Sequence, residues 1–195
     1  KVSNGGSQKI YLQELPFAGS EPLILDSATL QANGKFELRA TALEEGLYRL
    51  SLERGPEVLL INDEKSIRVN IDVNKPRFYE IEDSEASKSL QTLFAKYSVA
   101  DSSLMVDFNA LETAQQQSGN DSLVQVLTKN RDNGLLSINN LVNEFINNSK
   151  SPAAIYYAIG MATRTMPEEA VKQLVEKASV KFKEHTGLAK IKALM

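Results

Sequence analysis

Apolar and polar side chains alternate along the first part of the chain. Phe36, Leu38 and Ala40 are interleaved with Lys35, Glu37 and Arg39; Tyr48, Leu50 and Leu52 with Arg49 and Ser51; Ile67, Val69, Ile71 and Val73 with Arg68, Asn70 and Asp72. A period of two places the apolar set on one face of a pleated strand and leaves the other face wet, which predicts antiparallel sheets resting one side on a core. Val58 to Ile61 is apolar throughout and predicts a central strand. Ile10 with Leu12, and Tyr79 with Ile81, add an early and a late strand. Asn33-Gly34 supplies the positive φ angles of a tight hairpin ahead of Phe36, and Gly5-Gly6, Gly55-Pro56 and Asn62-Asp63 mark further turns. About seven or eight short strands at this spacing predict a β-sandwich over residues 1–83.

After Asp83-Ser84 the period lengthens to that of a helix. Leu90, Leu93, Phe94 and Tyr97 share one face, as do Leu104, Phe108 and Leu111. A longer tract carries Leu123, Val126 and Leu127, then Leu135, Ile138, Leu141, Val142, Phe145 and Ile146, with Asn133-Gly134 as the expected kink or break. The polar run at 115–120 reads as a loop. Ser151-Pro152 predicts a helix start, an N-cap followed by proline at the first helical position. Thr165-Met166-Pro167-Glu168 fits a capping box, and Lys177, Lys181, Lys183 and His185 fall late in the helix that it opens, before a stop at Gly187. Leu188, Ile191, Leu194 and Met195 then resume a helical pattern. The expected fold is α+β: an antiparallel β-sandwich over 1–83, then an all-helical region over 84–195.

Composition narrows the functional classes. The 195 residues are 42% hydrophobic and 24% charged, enough apolar material for a core of one large or two small units. Twenty-two Lys and Arg stand against 25 Asp and Glu, a formal charge of -3, so no long-range field draws the chain to nucleic acid. Zero Cys removes thiol chemistry, disulfides and thiolate metal sites. The most apolar stretch, 153–162, is about half of the ~20 residues that a helix needs to cross a bilayer.

Candidate chemistry is sparse. His185 is the sole histidine; among lysines near a helix end, it reads as a dipole-facing or solvated side chain rather than a catalytic base. Asp26-Ser27 could ligate a metal or a sugar, but both side chains suit bonds to their own backbone at a strand irregularity. Glu44-Glu45 and Asp63-Glu64 are acidic pairs in loops, read as solvated turns at the rim of the sheets rather than as an acid/base pair. Phe78, Tyr79, Tyr97, Tyr156 and Tyr157 would make a carbohydrate-stacking surface if exposed, and core packing is the expectation for most of them. Asn139, Asn140, Asn143, Asn147 and Asn148 form the polar face of a helix. Acyl-transfer elbows, phosphate-binding loops and dinucleotide fingerprints are absent from the sequence. The expectation is no catalytic, cofactor-binding or metal-ligating set, no cofactor, and no enzyme activity.

Lys9-Ile10-Tyr11-Leu12, Asp26-Ser27 followed by Leu30, Gly34, Phe36, Leu38 and Ala40, then Gly46, Tyr48 and Leu50, with Ser84 and Leu90 opening the helical part, carry a likeness. Over about the first 95 residues the chain resembles the N-terminal domain of unknown function that precedes thioredoxin-like domains in exported proteins of Gram-negative bacteria, the redox domains being of peroxiredoxin and thiol-disulfide oxidoreductase type. The resemblance implies an accessory module that positions or dimerises a downstream thioredoxin-like domain, or selects an exported protein substrate for it, in the periplasm or cell envelope. A lipid-anchored parent and a homodimer are both compatible with that role. It also leads to the expectation of a parent that continues past Met195 into a domain with a reactive Cys, in keeping with the start at Lys1 and the apolar end at Leu194-Met195. A free-standing sandwich that binds a glycan or an exported peptide is the alternative, with strand addition to an open sheet edge as one mode.

Overall fold

The computed structural model describes residues 1–17, 21–117 and 119–195. Seven strands precede five helices among them: β1 (Val2–Ser3), β2 (Lys9–Leu15), β3 (Leu23–Thr29), β4 (Leu47–Leu52), β5 (Glu57–Ile61), β6 (Arg68–Asp72), β7 (Tyr79–Glu82), α1 (Glu85–Gln115), α2 (Asp121–Asn148), α3 (Pro152–Ala162), α4 (Glu168–Lys181) and α5 (Thr186–Ala193). The fold is α+β, with the change from strand to helix at Asp83-Ser84, where the hydrophobic period changes.

The strands form two small sheets that do not close into a sandwich. The larger runs β3-β2-β4-β5 and is antiparallel; the smaller runs β1-β6-β7. Within it β1 lies parallel to β6, Val2 opposite Ile71, which departs from the all-antiparallel expectation. Two residues carry too little alternation to encode a direction, and β1 is held instead by burial of Val2 and by the bond from Val2 N–H to the Gly34 carbonyl (2.8 Å).

Two further expectations change. Phe36 to Ala40 forms no strand and joins no ladder. Phe36 and Leu38 pack against the core shared by the two sheets while Glu37 and Arg39 face solvent, and the Arg39 N–H donates to the Asp26 carboxylate (2.7 Å). Alternation there records burial on one side and says nothing about backbone pairing. Val58 to Ile61 belongs to β5, an edge strand rather than a central one. Its continuous apolar run arises because both faces are covered: Val58 and Leu60 face the inter-sheet core, and Leu59 and Ile61 the helices.

Burial divides the apolar side chains into two clusters. Ile10, Tyr48, Leu50 and Val58 from the larger sheet meet Val2, Val69, Ile71 and Ile81 from the smaller one. The second cluster is helical, and Leu47 and Ile61, cross-strand partners in the β4–β5 ladder, enter it from the sheet.

The helices follow their apolar stripes. α1 and α2 form a long hairpin, with Leu90, Leu93, Tyr97 and Leu104 facing Ile138, Val142 and Ile146. α2 runs unbroken through Asn133-Gly134, where a kink was expected. A Cβ on Gly134 would lie 3.0 Å from Leu104 Cδ1, so the glycine serves the close approach of the two helices. α3 starts as the sequence indicates, with Ser151 Oγ accepting from the Ala154 N–H (3.0 Å) and Pro152 following. The capping box at Thr165 does not form. Pro167 is extended at ψ 147° and pushes the helix start to Glu168, while the Thr165 hydroxyl turns to Asn139 Oδ1 (2.6 Å) on α2. Gly187 is not a stop: it lies in the first turn of α5, where the Phe17 ring packs so closely that a Cβ would fall 2.6 Å from its Cγ.

Candidate functional site

The loop before β4 and the loop after β5 lie side by side. Asn62 holds them together, its Oδ1 accepting from the Gly46 N–H (2.6 Å) and its Nδ2 donating to the Glu44 carbonyl (3.1 Å). The acidic residues on these loops were expected to be solvated. Three of them instead cap helices. The Asp63 carboxylate accepts from the Ser84 hydroxyl (2.5 Å) and the Ala86 N–H (2.8 Å) at the start of α1. Glu45 Oε1 accepts from the Ser151 hydroxyl and the Ala153 N–H (3.1 Å) at the start of α3. The Glu44 carboxylate accepts from the Thr186 N–H (2.9 Å) and hydroxyl at the start of α5. Helix N-termini present unpaired N–H groups and a partial positive charge, so a carboxylate there satisfies donors and complements the dipole. Glu64 stays exposed.

His185 completes this junction and is not solvated. It is 5% exposed and is the N-cap of α5, its Nδ1 accepting from the Leu188 N–H (3.2 Å). Nε2 therefore carries the proton and donates to the Glu45 carbonyl (2.9 Å). Burial pushes the Glu44 carboxyl up, but the two bonds from Thr186 and the nearby positive charge of Lys190 outweigh it and hold the group below its ordinary range.

Buried serines extend the junction into the sheet. Ser84 and Ser87 are fully buried, and Ser87 Oγ accepts from the Ile61 N–H (2.8 Å) at the end of β5. A side chain on α1 thus satisfies a backbone donor at an edge strand, and it fixes the helix to the sheet.

The other candidates separate. Asp26 Oδ1 accepts from the Ser27 N–H (2.8 Å) at a bulge where Leu12 pairs with Asp26 and Gln13 with Ile24, and its other oxygen holds Arg39, so both carboxylate oxygens bond backbone. Asn140, Asn143, Asn147 and Asn148 form an exposed polar face on α2, and Asn139 accepts from Thr165. Phe78 is 75% exposed and stands apart, and Tyr79 lies on β7 against the inter-sheet core.

Tyr97, Tyr156 and Tyr157 do come together. With Phe17 and Phe94 they line a groove of about 360 Å³ where the end of β2 meets α1 and α3. Phe17, whose importance no sequence pattern flagged, packs edge-on to Tyr156 and to His185 at centroid distances of 4.5 and 4.9 Å. Burial raises the Tyr97 phenol above its ordinary pKa, the Arg164 charge opposing and Asp101 adding to the rise, so the group is a proton donor at neutral pH. Larger clefts lie among the described residues: one of about 810 Å³ between the sheets, walled by Leu12, Phe36, Leu38, Leu50 and Leu60, one of about 680 Å³ beside the α1–α2 hairpin with Glu85, Lys96, Glu144 and Lys150 at its rim, and one of about 470 Å³ at Leu25, Arg39, Ala40 and Thr41.

Among the described residues no group of three or more His, Asp or Glu side chains is arranged to hold a metal ion, and no helix is long and apolar enough to cross a membrane. No family model, curated protein or solved structure matches the chain.

Proposed function

We propose that the chain is a non-catalytic platform: a sheet layer locked onto a helical layer, which holds a thioredoxin-like domain of the same parent at a set position in the periplasm or cell envelope. The observation that carries this reading is the junction, in which Asp63, Glu45 and Glu44 each bridge a sheet loop to a different helix. Carboxylates bonded in this way are anchoring groups, and a platform depends on the shape and stiffness that they provide. The identity of the held domain comes from the resemblance over the first 95 or so residues. The coding sequence on either side of the chain tests it. A downstream thioredoxin-like domain with a reactive Cys is the expected result, and a stop codon after Met195 or an unrelated neighbour overturns it.

A second reading has one observation in its favour. β3 is an edge of the larger sheet and exposes Leu23, Ile24 and Leu25, which is the form of edge that accepts an extended peptide by strand addition. Protection of β3 amides from hydrogen exchange by an exported peptide, with the coding sequence ending at Met195, would favour this free-standing binding module over the platform.

A further inference from the structure

The aromatic groove beside α3 has three features that packing alone does not account for. Tyr97 is 4% exposed, and its hydroxyl is the buried side-chain polar atom that lacks a hydrogen-bond partner among the described residues. A buried donor without a partner is disfavoured relative to a phenylalanine of the same shape, so the oxygen has a use beyond filling space. Over the same ring lies Arg164, its Cζ 5.9 Å from the centroid. The nearest carboxylate, Asp101, is 3.9 Å from the guanidinium, too far for a hydrogen bond, so the guanidinium donors remain open to an anion. Finally, Gly160 sits in the interior of α3, where alanine is the better helix former, and a Cβ there would meet no atom within 4 Å. Among the described residues, none packed against α3 requires a glycine at this position, and its absent side chain leaves the groove wider there.

We propose that this groove binds a small carboxylate carrying an aromatic ring, either a free arylalkanoic acid or the C-terminal phenylalanine of a peptide. The ring enters beside Phe17 and Phe94, where an edge-to-face contact with an aromatic neighbour fits. The carboxylate lies at the rim, where Arg164, an exposed side chain, provides a charge-assisted pair, and Tyr97 on the same groove wall offers its unpartnered hydroxyl as a second donor. The volume of about 360 Å³ suits one ring with a short tail and lies at the small end of ligand pockets. This site is independent of the platform reading, since none of its three features belongs to the carboxylate junction.

The chain reports on the site by itself. It has six Tyr and no Trp, and Tyr97, Tyr156 and Tyr157 line the groove, so occupancy changes the intrinsic tyrosine fluorescence. The full chain is titrated with 3-phenylpropionate, with N-acetylphenylalanine and with N-acetylphenylalanine amide. Saturable changes are expected with both acids, and binding of the uncharged amide is weaker by about tenfold or more. Arg164→Gln and Tyr97→Phe each weaken 3-phenylpropionate by about tenfold, consistent with loss of one charged or buried donor. Gly160→Leu abolishes binding while the melting temperature holds. A longer peptide ending in a free phenylalanine identifies the source: tighter binding than the small acids assigns a chain terminus, and equal or weaker binding assigns a free acid. The proposal is overturned by the absence of a saturable change with either acid up to about 10 mM, or by Gly160→Leu binding like the parent chain. Should Gly160→Leu unfold, the isosteric Tyr97→Phe decides: unchanged affinity overturns the role of the buried phenol and with it the site.

Discussion

Glu45 and His185 are separated by 140 positions, and the His185 Nε2 donates to the Glu45 carbonyl at 2.9 Å. The same glutamate turns its carboxylate to Ser151 and Ala153, so one loop residue is bonded to the N-termini of both α3 and α5. Replacing Glu45 with alanine leaves the Ala153 N–H and the Ser151 hydroxyl without that acceptor and is expected to cost about 1–3 kcal/mol. Glu45→Gln keeps an oxygen and loses only the charge, so its cost is smaller. Urea denaturation of the two variants checks the order, and equal, negligible losses would show that the carboxylate is not an anchor.

His185 works through both ring nitrogens, one accepting from Leu188 and the other donating to Glu45. His185→Ala removes the cap of α5 and the tie to the loop. The expected loss is about 1–3 kcal/mol. His185→Asn restores a capping oxygen but cannot span to the Glu45 carbonyl, so it recovers part of the loss. Thermal melts of the three proteins, with hydrogen exchange at the Leu188 amide, separate capping from tethering: full recovery by asparagine would leave no role for the Glu45 contact.

The class of each half was legible in the sequence, the boundaries within it less so. The alternation at Tyr48 to Leu52 and the helical spacing of Leu90 to Tyr97 each reflect one element packed on one face, and such patterns survive tertiary context. Phe36 to Ala40 shows the limit, since one-sided burial produces the same alternation whether or not the backbone joins a ladder. Val58 to Ile61 shows another, because burial on two faces does not reveal how many neighbours a strand has. Thr165 and Gly187 matched local cap and stop signals, but Asn139 and Phe17, remote in sequence, determine what those positions do. The junction was the least legible part. Glu44, Glu45 and Asp63 have the composition of solvated turns, and their partners lie on helices that no local spacing connects to them.

The pH dependence of the junction follows from Glu44. Its carboxyl is held below the ordinary value of 4.5 in the folded chain. Above that value the group is charged whether folded or not, and its stabilisation is fully present. As pH falls through the lower folded value the carboxylate is protonated, the bonds to Thr186 weaken, and the stabilisation is lost. Glu44→Gln should therefore melt below the parent chain near neutral pH, and the gap should close on acidification below about 4.5. A gap that stays constant down to about pH 3 would show that charge at Glu44 contributes nothing.

Ile61 couples the layers, being fully buried in the helical cluster while its backbone N–H donates to Ser87. Ile61→Ala is expected to cost about 2–5 kcal/mol, the range for a buried Ile. Phe36, half-buried beside the cleft between the sheets, should lose less than the about 3–5 kcal/mol of a fully buried phenylalanine when cut to alanine. Chemical denaturation gives both values. A larger loss for Phe36→Ala than for Ile61→Ala would place the main support of the fold between the two sheets rather than between sheet and helices.

Two glycines make the sharpest contrast, because the same substitution should act with opposite signs. Gly34 has φ +74°, and a Cβ on it would fall 1.8 Å from the Val2 carbonyl oxygen, whose own residue donates to the Gly34 carbonyl. Gly34→Ala must strain the turn and displace β1, with the parallel β1–β6 pair following. The cost of a left-handed alanine alone is about 1 kcal/mol, and the clash with backbone adds to it. Gly160 has open space where a Cβ would go and lies within α3. Gly160→Ala should stabilise the chain by about 0.5–1 kcal/mol through helix propensity and the reduced freedom of the unfolded state. Melting temperatures that move in opposite directions would confirm that Gly34 is required by geometry and Gly160 is not. A fall with Gly160→Ala would mean that the helix at the groove needs glycine for its own packing, and the open groove would then be a by-product of that need.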